Sequence, residues 1–185
     1  GPHNAWVLHR TPDGDLLLSG RGASPDGVHP FLDRFDLETK ESRRLWQARD
    51  PHYETLVKVL DPAGTRKITR RQSKQDPPNY LLKGRRGPGR ALTRFADWAP
   101  QFSDVHKEQI SYTRADGLPL TATLYLPPGY DKDRDGPLPT VFWAYPSEFK
   151  SKKDAGQKTR SENTFSRPGG SSVLMMLLAG YAVVD

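Results

Sequence analysis

The residue types that carry hydrolytic and metal chemistry are present in this chain, but scattered. Five histidines, His3, His9, His29, His52 and His106, show no metal-ligand spacing, and no H-E-x-x-H occurs. Each reads as a loop or surface residue rather than a ligand, so no metal site is expected. Cysteine is absent, which excludes disulfides and cysteine metal sites. No phosphate-cradling glycine pattern is present: "SGRGAS" and "RPGGSS" lack both the G-x-G-x-x-G and the G-x-x-x-x-G-K-[ST] spacing, and no cofactor is expected. "RPGGSS" opens a helix whose first amides could hold an anion. A loop that simply lets the helix begin is the better reading. A serine nucleophile held in a sharp strand-to-helix elbow needs G-x-S-x-G, and none exists in the 185 residues.

The elements that would position any such group follow from the turn signals. In the first hundred residues short apolar strands alternate with Pro, Gly and Asp turns. "DLLLSG" reads as one strand and "HPFLDRFDLETKESRRLW" as strand, turn, strand. "ETLVKVLDPAGTRKITRRQ" reads as a hairpin turning at Asp61-Pro62-Ala63-Gly64. The units 31–47 and 79–95 resemble each other at an offset of 47 residues (Leu45 to Leu92), in the range of propeller blades of about four strands. An ordinary antiparallel meander is the alternative. The stretch 95–109 loses strand alternation and reads as a linker.

After it the pattern changes. "QISYTRADGLPLTATLYLPPGY" predicts a hairpin around Ala115-Asp116-Gly117, with "DKDRDGPLP" as a charged loop. "TVFWAY" (140–145) is a continuous apolar run of the kind a buried sheet strand carries. "SSVLMMLLAG" predicts a short helix capped by Ser171 or Ser172 and stopped at Gly180, and "YAVVD" a second buried strand. Hairpin, strand, helix, strand is how an α/β sheet begins, the helix making the crossover between parallel strands. In an α/β-hydrolase the acid and then the histidine follow the nucleophile along the chain. His106 therefore stands in the wrong place to be a triad base, ahead of the first strand of this sheet.

Composition bounds the partners. Hydrophobic residues make up 35% and the net charge is +6, with a mean hydropathy of −0.75. Residues 1–105 hold 18 basic and 13 acidic residues, against 10 and 9 in 106–185. The excess concentrates in 66–94, where ten basic residues face one acid, Asp76. Such a stripe can bind a polyanion, but a solvated surface of strands and turns is the stronger reading, so no nucleic-acid partner is expected. No apolar run is long enough for a membrane span, and no membrane partner is expected.

The segment "QISYTRADGLPLTATLYLPPGYDKDRDGPLPTVFWAYPSEFKSKKDAGQ" resembles the start of the catalytic domain of the prolyl oligopeptidase family of serine peptidases. Its glutamyl endopeptidase branch, of chloroplasts and bacteria, is the most similar. The resemblance is specific from Gln101 to Gln157 and extends through "SVLMMLLAGYAVVD"; "GASPDGVHPFLDRFDLET" and "DPPNYLL" resemble the end of the β-propeller that precedes that domain. It implies a mixed fold: the C-terminal blades of an antiparallel β-propeller with a linker in 1–105, then the first part of an α/β-hydrolase domain in 106–185. It implies cleavage of peptide or protein substrates, after Glu in this branch, by a Ser-Asp-His triad. None of the triad is in these residues, so the chain reads as an internal piece of a longer enzyme, inactive alone. A non-catalytic binding or assembly protein of the same fold, or a polyanion binder through 66–94, is the alternative. For the oxyanion hole the turn after "TVFWAY" supplies Tyr145 first and Trp143 second, with packing of the sheet end as the competing role for both. The resemblance implies the chloroplast stroma for a plant or algal source and the cytoplasm otherwise, and it allows a homo-oligomer of the full-length enzyme.

Overall fold

A computed structural model describes residues 8–24, 27–144 and 160–185. Among the described residues the chain builds two antiparallel sheets and a two-stranded ribbon in its first half and a mixed sheet in the remainder. Strand β1 (Leu16–Gly20) runs into a two-stranded ribbon of β2 (Ala23–Ser24) and β3 (Gly27–Val28). Strands β4 (Phe31–Phe35) and β5 (Ser42–Gln47) complete a three-stranded antiparallel sheet in the order β1-β4-β5. Strands β6 (Tyr53–Val59), β7 (Lys67–Gln72), β8 (Asn79–Lys83) and β9 (Arg90–Ala91) form a four-stranded antiparallel meander in chain order. The two similar units, 31–47 and 79–95, contain β4–β5 and β8–β9, the last two strands of their respective sheets.

Turn chemistry fixes the joint between these sheets. Asp61 accepts from the Arg66 amide at 2.8 Å and from the Thr65 hydroxyl, closing the β6–β7 turn. Gly64 has φ +74, and a Cβ there would lie 3.1 Å from both Leu17 and Leu45. The turn therefore rests directly on the first sheet, where only a residue without a side chain fits. The second sheet hides polar groups. Thr69 is fully buried and its hydroxyl donates to Glu54, which also pairs with Lys83 at 3.0 Å. Leu81 is the meander's buried apolar residue. The buried Glu54 carboxylate is thus satisfied by the half-buried Lys83 ammonium and the Thr69 hydroxyl, so its burial leaves no uncompensated charge.

The third sheet begins with β10 (His106–Thr113) and β11 (Pro119–Leu126), joined by a tight turn in which Gly117 has φ +83. A short helix, α1 (Lys132–Asp135), leads to β12 (Thr140–Phe142). A seven-residue 3-10 helix (Val173–Ala179) precedes β13 (Ala182–Val184). The strand order is β10-β11-β13-β12; β12 and β13 are parallel and the other pairs antiparallel. The expected crossover between parallel strands is therefore present. Ser172, not Ser171, caps its helix by accepting from the Leu174 amide at 3.3 Å, and Gly180 ends it in the left-handed region. The apolar core lies here: Val183 and Leu177, 0% and 1% exposed, pack with Tyr125, Phe102 and Ala99. Each such aliphatic side chain contributes roughly 1.5–3 kcal/mol on burial.

Three expectations are corrected. "DKDRD" is not simply a loop, because Asp131 accepts from the Asp133 amide at 2.9 Å and starts helix α1. His106 does not precede the sheet; it is the first residue of β10, opposite Leu126. The described part of "TVFWAY" is not buried: β12 is an edge strand, with Phe142 77% exposed and Trp143 55% exposed.

Candidate functional site

The parallel strands β12 and β13 end side by side, and the groups beyond those ends are the first candidates. The Trp143 amide donates to the Val184 carbonyl at 2.8 Å, extending the ladder by one residue. That N–H is committed to the sheet, which leaves Trp143 only its indole N–H as a free donor. Tyr145 lies outside the described residues. Past β13, Asp185 exchanges backbone hydrogen bonds with Thr123, and its carboxylate accepts from Arg160 at 2.9 Å. The strand ends therefore carry an ion pair and an exposed indole.

Beside these ends the sheet face bears Lys107, which sequence reasoning did not single out. Lys107 sits opposite Tyr125 and is 7% exposed. Its Nζ donates to the Thr164 hydroxyl at 2.6 Å and the Thr164 carbonyl at 3.0 Å, and lies 5.8 Å from the centre of the Tyr125 ring. Burial, aided by the nearby positive charge of Lys74, pushes its ammonium down to about 8. The same burial, with the negative Asp185 close by, raises Tyr125. Lys74 Nζ in turn donates to the Lys107 carbonyl at 3.0 Å and to Glu162 at 3.2 Å. Gln72 accepts from the Phe165 amide at 2.9 Å, and Asn163 donates to Asp50 at 2.5 Å. Residues 161–165 thus tie the mixed sheet to the meander and to the turn after β5. These partners lie 57, 88, 93 and 113 positions apart in the chain, so no local signal could have revealed them.

The other sequence candidates fall elsewhere. His106 Nε2 lies 3.1 Å from Glu108 at the exposed start of β10. His9, His29 and His52 belong to no group of three or more potential metal ligands, and none exists among the described residues; His3 is outside them. "RPGGSS" leads into the 3-10 helix through the Ser172 cap. The basic stretch is not one continuous cationic face. Lys67 is buried and donates to the Gly64 and Thr65 carbonyls, Lys74 and Lys83 are paired with Glu162 and Glu54, while Arg85, Arg86, Arg90 and Arg94 are exposed. No helix among the described residues is long and apolar enough to cross a membrane.

No family model matches the chain. Two curated plant proteins do: each is 42% identical over 182 residues, covering 92% of this chain. Both are named "Probable glutamyl endopeptidase, chloroplastic", one from Oryza sativa subsp. japonica and one from Arabidopsis thaliana. This chain is a relative of the glutamyl endopeptidases. It spans 19% of the length of those two proteins. The glutamyl endopeptidase resemblance drawn from Gln101–Gln157 therefore extends over nearly all of the 185 residues. Solved peptidase structures share its fold. Porphyromonas gingivalis dipeptidyl peptidase 4 superposes with a TM-score of 0.56 at 16% identity, over 97% of this chain and 24% of its own. Oligopeptidase B from Leishmania major gives 0.56 at 13%, over 96% and 23%. The AtxE2 isopeptidase gives 0.55 at 19%, over 92% and 23%.

Proposed function

We propose that these residues are the working middle of a serine peptidase of the glutamyl endopeptidase type, cleaving peptide bonds after Glu. In this reading residues 1–105 are the last blades of a β-propeller with its linker, and 106–185 begin an α/β-hydrolase domain. The Ser-Asp-His triad belongs to parts of the longer protein outside the 185 residues. The strand order β10-β11-β13-β12, with its parallel pair joined through a helix, is the observation that carries the reading. It suits a sheet that goes on growing past β12, whose outer edge bears the exposed Phe142. The 42% identity to proteins about five times as long supports it independently.

The contribution of this chain to the reaction is positional. Its parallel strands aim their C-terminal ends at one place, where an α/β sheet holds its ligands. The turn after β12 supplies one donor to the oxyanion of the tetrahedral intermediate. The Trp143 amide is occupied by Val184, so the donor is the Tyr145 hydroxyl, with the Trp143 indole second. Substrate is a peptide or protein; neither nucleic acid nor a membrane takes part. The plastid stroma is the proposed compartment for a plant or algal source.

The test uses the full natural polypeptide that carries these residues, a fluorogenic peptide with Glu before the scissile bond, and a serine-reactive phosphonate. Phosphonate-sensitive cleavage after Glu is the expected result. Tyr145→Phe should lower kcat roughly a hundred- to a thousandfold with KM nearly unchanged. Absence of phosphonate-sensitive cleavage would refute the peptidase reading; a wild-type kcat in Tyr145→Phe would reject that donor.

A further inference from the structure

A cavity of about 400 Å3 opens where the meander, the linker and the crossover meet. Two guanidiniums line it: Arg70 from β7 and Arg167 from the crossover. Its walls are aromatic, with Tyr80 from β8, Phe95 and Trp98 from the linker, and Phe165 from the crossover, and no acidic residue lines it. What sets this cavity apart is that two guanidiniums without an acidic partner line one concave, aromatic wall. Arg34, Arg44, Arg114, Arg134 and Arg160 each contact an aspartate. The side chains of Arg70 and Arg167, like those of the exposed Arg85 and Arg86, make neither a hydrogen bond nor an ion pair among the described residues, but unlike those two they face one cavity.

The aromatic walls are equally unsatisfied. Phe95 is 59% and Trp98 55% exposed, whereas Phe165 at the cavity floor is buried. Arg70 and Tyr80 are register partners on neighbouring strands, and β7 is paired on both sides, so this part of the wall is held rigidly. Concave apolar walls with a few convergent polar groups are the ordinary make-up of a ligand site. Two unpaired guanidiniums with no acid beside them select an anion, and their forked geometry matches a carboxylate. Two cations are too few to follow a phosphodiester backbone, which needs a track of them.

We propose that this cavity binds an acidic side chain of an extended peptide, with Arg70 and Arg167 holding the carboxylate and Trp98 and Phe95 flanking the peptide chain. The site is one of binding, separate from the strand ends of β12 and β13, and does not rest on the peptidase reading.

The test is titration calorimetry on the full natural polypeptide, after treatment with the serine-reactive phosphonate so that no turnover intervenes. The probes are an end-blocked pentapeptide with a central Glu, its Gln counterpart, and a short oligothymidylate. The Glu peptide should bind at least about tenfold tighter than the Gln peptide, and Arg70→Gln or Arg167→Gln should each remove that preference. Arg167 is exposed, so its replacement leaves folding intact; Trp98→Ala should weaken both peptides alike. Equal binding of the two peptides, binding of neither, unchanged selectivity in both arginine variants, or preference for the oligothymidylate would each overturn the proposal. A protein that resists the phosphonate but still distinguishes Glu from Gln would fail as a serine peptidase and keep this site.

Discussion

Replacing Lys107 with methionine should flatten the pH dependence of stability on the alkaline side. The ammonium of Lys107 is buried against the Tyr125 ring and Thr164, and burial lowers it from an ordinary value of 10.5 to about 8. Between those two values the unfolded chain holds a proton that the folded chain has released. The free energy of unfolding therefore rises with pH through this window, at a limiting slope of about 1.4 kcal/mol per pH unit. From about pH 7.5 to about pH 9.5 the accumulated gain is about 2 kcal/mol. Lys67, also lowered by burial, adds a gain of the same sign, while Tyr125, raised by burial, opposes it only at higher pH. The difference between wild type and Lys107→Met isolates the Lys107 share. Urea unfolding at several pH values measures it, and NMR titration of the Lys107 ε-methylene reads the ionisation directly. Equal alkaline gains in the two proteins, or titration of Lys107 near 10.5, would refute the reasoning.

Three substitutions test the meander, the ribbon and the β10–β11 turn. Lys83→Met leaves the Glu54 carboxylate buried with the Thr69 hydroxyl as its remaining side-chain partner, and should cost about 3 kcal/mol at neutral pH in urea unfolding. Gly22→Ala should cost at least about 2 kcal/mol, because φ is +65 and the new Cβ would fall 2.0 Å from the His29 carbonyl oxygen. Gly117→Ala, with φ +83 and open space around it, should cost only about 1 kcal/mol in the same assay.

Local chemistry made the strands and turns legible. Asp61 to Gly64 signalled a turn through residue types that bond their own backbone, and the structure uses Asp61 in that way. Ser172 and Gly180 marked the crossover helix because caps are local. "TVFWAY" misled because an apolar run reports a capacity for burial, whereas burial also needs a neighbour, and β12 has one on a single side. "DKDRD" was read by its charge rather than by the Asp that caps it. Lys107 and the Arg70–Arg167 cavity were illegible for a different reason. Both arise where segments far apart in the chain come together, and a lysine or arginine alone carries no mark of its eventual surroundings.

The crossover between β12 and β13 has a mechanical consequence. Residues 162–165 are bonded to Lys74, Asp50 and Gln72 on one side and to Lys107 on the other. Among the described residues, a load that pulled the meander away from the mixed sheet would be borne in shear by this short strap together with the direct Lys74–Lys107 hydrogen bond, and a swing of one against the other would have its fulcrum there. Cutting or lengthening the chain at the exposed β10–β11 turn leaves the strap untouched. Weakening Gln72 or Asn163 would loosen the joint while each sheet kept its own ladder.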